Sequence, residues 1–461
     1  MINLFHPFSA VMVVHSPLQI VTHKQQRTGN HEPTPARPHE DWPDLETPTS
    51  STFKIMAPTE MSEGPVASKD QSRSAGSLDG KLILILAGGA GLAVANPYYC
   101  QPMLAELAGE LRVAPAVVTA IPVAALVGNT LGVIFLAPLG DKFERRSLIV
   151  LTTIALALAL VGASVAMGLW LMVMASFSIG LFSTVAQQII PLSVHIAPPA
   201  SKGRTLGFVT GGILLGILLS RAVSGNVTEW WGWRTMFLIA GGAMFAMAGV
   251  FTKTLPRVEP TVSVSYGELI ASLWSLLTMH RALRAAILIQ ASIFAAFLAF
   301  WANLALLFAS ESYQFGPSAA GLMALIGAAG VAVAPAAGLL ADRRSHRTVI
   351  CIGAVLVVIA FALMIIVPGN LWVLAAGVLV MDVGVQSSQV ANQARVLALD
   401  AQAQSRLNTV FISTMLLGGA IGAALGGVAF SFFDWRGTCA VGALAAILAL
   451  TFAALCDSSH A

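Results

Sequence analysis

Ala137-Pro138-Leu139-Gly140-Asp141-Lys142-Phe143-Glu144-Arg145-Arg146 closes one apolar run and opens the next, and about 201 residues later Gly338-Leu339-Leu340-Ala341-Asp342-Arg343-Arg344-Ser345-His346-Arg347 does the same. In both copies an Asp and a cluster of cations separate two apolar segments. Outward from this pair, Gly128 matches Gly330, Gln187 matches Gln389, Arg204 matches Arg406, and Trp233-Arg234 matches Trp435-Arg436 at a nearly constant offset. A single matching Gly or Arg means little, but a constant offset across many implies two homologous halves.

The composition places those halves in a bilayer. Hydrophobic residues make up 56% of the chain and charged residues 10%, against about 25% charged in soluble domains. The net charge of +3 gives no sign of a nucleic-acid partner, because in such a chain the position of the cations matters more than their sum. A hydrocarbon core requires about 20 apolar residues per helix. Windows at 82–99, 117–139, 148–167, 169–191, 206–223 and 235–251 meet that need, as do 285–308, 319–340, 349–367, 371–390, 410–430 and 438–455. The expected fold is therefore an all-α membrane protein with twelve transmembrane helices in two pseudo-symmetric six-helix bundles, residues 81–252 and 285–456.

Between the bundles, residues 253–284 form a polar linker. Ser265 and Glu268 have capping-box spacing, and Leu269, Ile270, Leu273, Trp274, Leu276 and Leu277 recur at helical intervals, which predicts an amphipathic helix on the membrane surface. Residues 1–80 are read as a disordered cytoplasmic tail, because 24–80 is rich in polar residues and Pro with no sustained apolar period; a translation start at Met56 or Met61 is the alternative. Residues 1–22 have Pro7 and Pro17 and no preceding cation, which argues against a cleaved signal peptide. Residues 457–461 are a short tail. Cys100, Cys351, Cys439 and Cys456 lack metal-ligand spacing and read as packing residues; no metal or cofactor is expected.

Loop charge orients the bundle. One set of loops holds Lys142, Arg145, Arg146, Lys202, Arg204, Lys253, Arg257, Arg281, Arg284, Arg343, Arg344, Arg347, Arg395 and Arg406, whereas the other set holds Arg112, Arg234 and Arg436. The basic set belongs in the cytoplasm, so both termini are expected inside. Trp230, Trp231 and Trp233 then fall at the outer interface as amphipathic anchors.

Two six-helix halves with Asp and Arg turns after the second and eighth spans resemble the major facilitator superfamily, over about residues 81–456. Within it the chain is similar to the bacterial twelve-helix branch that contains drug-proton antiporters and sugar-efflux permeases. Asn96-Pro97-Tyr98-Tyr99-Cys100-Gln101-Pro102 resembles a first-helix signature of some of its members. The resemblance implies a non-enzymatic carrier in the inner membrane that moves a small solute by rocking its halves about a midplane site. It also implies that Asp141, Arg145 and Arg146, with Asp342, Arg343 and Arg347, latch the cytoplasmic face; the rival reading is that these cations only obey the topology rule. Ala137 and Glu144 depart from the family's usual glycines, which puts the pairing of the first turn in doubt.

Gly207, Gly211, Gly212 and Gly216 on span five, and Gly418, Gly422 and Gly426 on span eleven, are spaced so that helix backbones can approach closely. The span-five run resembles a glycine-rich motif of exporters, although it lacks the usual Gly-Pro pair; static packing is the other reading. The family's drug antiporters carry an Arg four residues before a Gly on span four, where this chain has Ser176 before Gly180.

Polar groups inside spans must face a cavity or one another, because lipid offers no hydrogen bonds. Asp382 lies deep in span ten and is the candidate proton-coupling carboxylate; a carboxylate bonded statically within its bundle is the alternative. Gln187 and Gln389 form a repeat-equivalent cavity pair, with Gln386 beside the latter, unless these amides only bond helix to helix. Asn96, Tyr99, Trp301 and Asn303 are candidates for the outer vestibule, Trp301 serving equally well as an interface anchor. Arg221 is expected to extend its head group to water. No Walker motif is present, so ATP hydrolysis is not indicated. The expected partners are the bilayer, a small-molecule substrate and a coupling proton, and nothing in the sequence sets an oligomeric state. Proton-coupled export is the leading reading; a proton-coupled importer and a non-transporting sensor or scaffold are its rivals.

Overall fold

The computed structural model describes residues 80–259, 265–332, 334–343, 345–367 and 369–455, apart from the side chains of residues 141, 200, 329–335 and 342. The tail 1–79, Arg344, Cys456 and the side chains of Asp141 and Asp342 thus lie outside the described residues.

Every apolar window has a helical counterpart. Span one is Gly80–Ala95, continued by a tight turn Asn96–Tyr98, and a short helix Leu104–Leu111 follows. Span two comprises Pro115–Val118 and Ala120–Phe135, span three Arg145–Ser164, and span four Leu169–Phe182 with Val185–Ile196. Spans five and six are Lys202–Trp231 and Trp233–Thr254. After the linker helix Tyr266–Met279 come span seven, Arg281–Phe308, and span eight, Pro317–Ala332 with Ala334–Arg343. Spans nine and ten are His346–Ile366 and Leu371–Leu397. Spans eleven and twelve share the continuous helical assignment Gln404–Leu455, interrupted by non-helical backbone at Phe433 and Asp434. The chain reverses at that point. Thr438 Oγ1 donates to the Gly426 carbonyl at 3.2 Å, although twelve residues of straight helix would separate them by about 18 Å.

The starts of several helices are satisfied locally. Glu144 accepts from Ser147 N at 3.1 Å to cap span three, and Asn370 Oδ1 accepts from Trp372 N at 2.9 Å to cap span ten. In the linker Ser265 and Glu268 form the reciprocal capping box expected from their spacing. Leu273 and Leu276 of that helix pack with Leu283, Leu407 and Phe411, and Tyr266 donates from its hydroxyl to the Phe135 carbonyl at 2.7 Å.

Small residues set the contacts between spans. A β-carbon at Gly212 or Gly216 would collide with the backbone of Ala87 or Gly91 on span one. Gly418 and Gly422 meet Ala291 and Ala295 on span seven in the same way, and Gly426 sits against Ala299. Spans one and five thus pack as spans seven and eleven do, and the repeat is visible in three dimensions. Gly207 and Gly211 depart from the expected packing role: a β-carbon at either would meet nothing within 4 Å.

The halves touch at the end opposite the basic loops. Gly225 of span five lies against the Pro317 carbonyl and Gly321 of span eight, while Gly427 of span eleven lies against Thr119 of span two. Gly225 and Gly427 are equivalent at the 202-residue offset, as are Thr119 and Gly321. The contact is therefore made twice by one pseudo-twofold rule. Glu229 of span five adds a link, accepting from Ser318 N at the start of span eight at 2.9 Å.

Candidate functional site

Span five is longer than its apolar window, and this relocates Arg221. The helix runs on to Trp231, so Arg221 lies ten residues, about 15 Å, from its end rather than one turn. The side chain is 4% exposed. It does not reach water as its sequence context suggested. Its Nε donates to Gln101 Oε1 at 2.7 Å, and its guanidinium carbon lies 4.9 Å from the Tyr98 ring centre and 4.7 Å from that of Trp301. Phe297 contributes a third ring at 6.0 Å. A weakly hydrated planar cation over aromatic faces is how an arginine becomes tolerable away from water.

Tyr98, Gln101 and Arg221 belong to the first half, whereas Phe297 and Trp301 stand on span seven of the second. Trp301 is held edge-on by Phe300 at 5.2 Å and by Phe297 at 6.1 Å. Asp382 on span ten reaches the same place. Gly327 of span eight provides its room: a β-carbon there would collide with Asp382 Oδ2 and lie 3.5 Å from Trp301 Cζ2. Asp382 is 5% exposed. An arginine and an aspartate, contributed by opposite halves, are thus both buried around Trp301.

Three atoms of this cluster have no hydrogen-bond partner among the described residues: Arg221 Nη2, Trp301 Nε1 and Asp382 Oδ2. An unmet buried polar atom costs roughly 1–3 kcal/mol, more when charged. The repeat does not demand the charges, because the equivalents of Arg221 and Asp382 at the 202-residue offset are Ala423 and Gly180. By contrast, Tyr99 is the equivalent of Trp301, and Gln101 of Asn303. The aromatic and amide scaffold is duplicated; the charges are not.

The other candidates are placed as follows. Tyr99 lines an apolar cavity of about 760 Å³ between spans one and five, together with Gly88, Gly91, Gly207, Gly211 and Ser220. Tyr99 and Ser220 are chain neighbours of Tyr98 and Arg221, whose own side chains do not line this cavity. Asn96 donates to the Leu92 carbonyl at 2.8 Å and Asn303 to the Ala299 carbonyl at 2.8 Å; each bonds to its own helix and leaves an unmet carbonyl oxygen. Gln187, Gln386 and Gln389 are half-buried and form no hydrogen bond with the cluster. Gln188 and Gln393 bond across helices, to Thr152 at 3.3 Å and Asn408 at 2.7 Å.

At the basic end, Arg145 donates to the Gly140 carbonyl at 3.2 Å and Arg146 to that of Thr252. Both rest on helix-terminal carbonyls of the first half, the favoured seat for a cation at a helix end. Arg343 is exposed and Arg347 half-buried. Trp230 and Trp231 are exposed as expected of interface anchors, whereas Trp233 is buried and donates to Glu110 Oε2 at 2.5 Å.

Comparison with known proteins adds the following. The model of the Major Facilitator Superfamily matches residues 85–398 and, again, 288–458. An uncharacterized transporter, YgaY, of Escherichia coli O157:H7 is 33% identical over 370 residues, 80% of this chain and 94% of its own. A probable transporter of Streptomyces coelicolor, SCO4007, is 29% identical over 88% of this chain and 95% of its own. Among solved structures, a bacterial homolog of the human lysosomal transporter Spinster, inward-facing and unoccupied, superposes with a TM-score of 0.64. It is 15% identical, over 82% of this chain and 95% of that one.

Proposed function

Because the chain belongs to the major facilitator superfamily, we propose that this secondary transporter moves a small organic solute across a bacterial membrane by alternating access, with Asp382 as its proton-coupling carboxylate and export as its direction. The observation that carries the reading is the burial of Arg221 and Asp382 together where the halves meet. Their attraction holds the two halves together while Asp382 is charged. A proton on Asp382 removes that attraction, so protonation and opening are linked through one contact.

Two further features support the assignment. Spans one and five present an apolar cavity with glycines on its wall, suited to a solute that sheds water on entry. Export is the direction associated with the glycine run that span five resembles. The basic loops put this family's latch, Asp141, Arg145, Arg146, Asp342, Arg343 and Arg347, on the cytoplasmic face in this reading, where the two termini also lie.

The test is solute flux in proteoliposomes under an imposed proton gradient. Asp382→Asn is expected to retain exchange of solute down its own gradient at raised solute concentration and to abolish gradient-driven accumulation at any concentration. If the variant accumulates solute as the parent does, Asp382 is not the coupling group.

A further inference from the structure

We infer that the junction of Arg221, Trp301 and Asp382 is a binding site for a zwitterionic solute, an amino acid with an apolar side chain, whose carboxylate meets Arg221 and Trp301 and whose ammonium meets Asp382. The inference rests on the carrier reading and names its substrate class.

Hydrogen-bonding capacity decides which ligand the junction can satisfy. A guanidinium and an indole N–H can only donate, and a carboxylate can only accept. The unmet atoms are therefore two donors, Arg221 Nη2 and Trp301 Nε1, and one acceptor, Asp382 Oδ2. A ligand that satisfies all three must bring an anionic acceptor and a cationic donor on the same small body. A sugar meets donors and acceptor without matching either charge, and an organic cation leaves Arg221 unmet. Since the Arg–Asp pair is itself neutral, a ligand of zero net charge leaves the buried site without excess charge.

Geometry narrows the class. The bond from Nε to Gln101 and the rings of Tyr98 and Trp301 on the guanidinium fix the plane of Arg221. The absence of a β-carbon at Gly327 is what leaves Asp382 Oδ2 its space beside Trp301. The charges do not recur at Ala423 and Gly180, so the site is single and polarised, with an anion-binding pole from the first half and a cation-binding pole from the second. Tyr99 and Ser220, next along the chain from Tyr98 and Arg221, line the apolar cavity between spans one and five, whose walls match an aliphatic or aromatic substituent once the halves part. The three atoms are sealed from solvent here; entry takes place when the halves part.

Thermal unfolding of the purified full chain tests this with leucine, phenylalanine and methionine, each beside its deaminated acid and its amide. The zwitterions are expected to raise Tm, with Kd at least about tenfold tighter than the acid or the amide, as loss of one charged hydrogen bond implies. Trp301→Phe keeps the ring and removes one donor. It is expected to weaken the zwitterion and the acid alike, and the amide little. Asp382→Asn is expected to bring the zwitterion down to the affinity of the acid. Equal shifts for the three forms, no shift with any amino acid, or zwitterion affinities unchanged in both variants would overturn the assignment. Flux in proteoliposomes separates the two claims: transport of an uncharged solute without amino-acid binding sinks the substrate class alone, and amino-acid binding without any flux sinks the transport reading alone.

Discussion

At the residue scale, the turns that close spans five and eleven show what the repeat allows and where it is imperfect. Gly232 has φ of 80°, which glycine adopts without penalty, and its equivalent at the 202-residue offset, Asp434, has φ of 51° with ψ of −147°. An L side chain in that region is strained. Asp434→Gly is expected to raise stability by about 1 kcal/mol, read as a higher Tm of the purified protein. Lowered stability would show that Asp434 contributes a contact outweighing its backbone strain. Arg221 teaches the complementary lesson. Its residue type and its place in an apolar run were legible, but the length of span five decided whether its head met water or the rings of Tyr98 and Trp301.

At the element scale, the glycines of span five divide into two sets on adjoining faces. All four line the cavity, but Gly212 and Gly216 carry the contact with span one, whereas a β-carbon at Gly207 or Gly211 would meet nothing within 4 Å. Gly211→Ala is therefore expected to be neutral or to stabilise by up to about 1 kcal/mol through helix propensity. Gly212→Val should force the backbones of spans one and five apart and abolish folded, monodisperse protein on size-exclusion chromatography. Spacing alone made the four glycines look alike, because a four-residue interval says that residues share a stripe and not which neighbour that stripe meets.

A second element-scale case is the short helix Leu104–Leu111. The Glu110 carboxyl is held below its ordinary value of 4.5 chiefly by the hydrogen bond from Arg234; burial, next in size, opposes this, and the hydrogen bond from Trp233 and the Arg234 charge add to the lowering. Depression of an acid's folded value means that the stabilisation is complete above about pH 4.5 and is lost as pH falls below it. The pair is nearly half exposed, so its worth is roughly 0.5 kcal/mol after solvent screening. Melting curves of Glu110→Gln against the parent should differ slightly at pH 7 and converge as the pH falls through the lowered carboxyl value. Glu106, one turn away, behaves oppositely: burial and then the charges of Glu229 and Glu110 raise its value.

At the scale of the whole molecule, the two halves meet through Gly225 and Gly427, related by the pseudo-twofold, and through the Glu229 cap on Ser318. Alternating access requires this end to open. A Glu229→Cys, Ser318→Cys pair is expected to cross-link under mild oxidation, to stop flux in proteoliposomes, and to recover it on reduction. Cross-linked protein that still transports would mean that this end never parts.

Membrane class, the two halves and the approximate position of each span were legible in the sequence, whereas the full length of span five, Lys202–Trp231, was not. The legible properties follow from local hydrophobicity and from a constant offset, and both survive without any knowledge of neighbours. The sequence also singled out Asp382, because a carboxylate deep in an apolar run is expensive wherever the helix lies. Only the tertiary structure decided which polar residues share a site. Arg221 and Asp382 are far apart in sequence and come from opposite halves, and Gly327 admits one to the other by lacking a side chain. Asn303 had an equal claim in the sequence but donates to the Ala299 carbonyl of its own helix. Desolvation and pairing depend on what surrounds an atom, and that is set by how helices cross rather than by the order of residues along them.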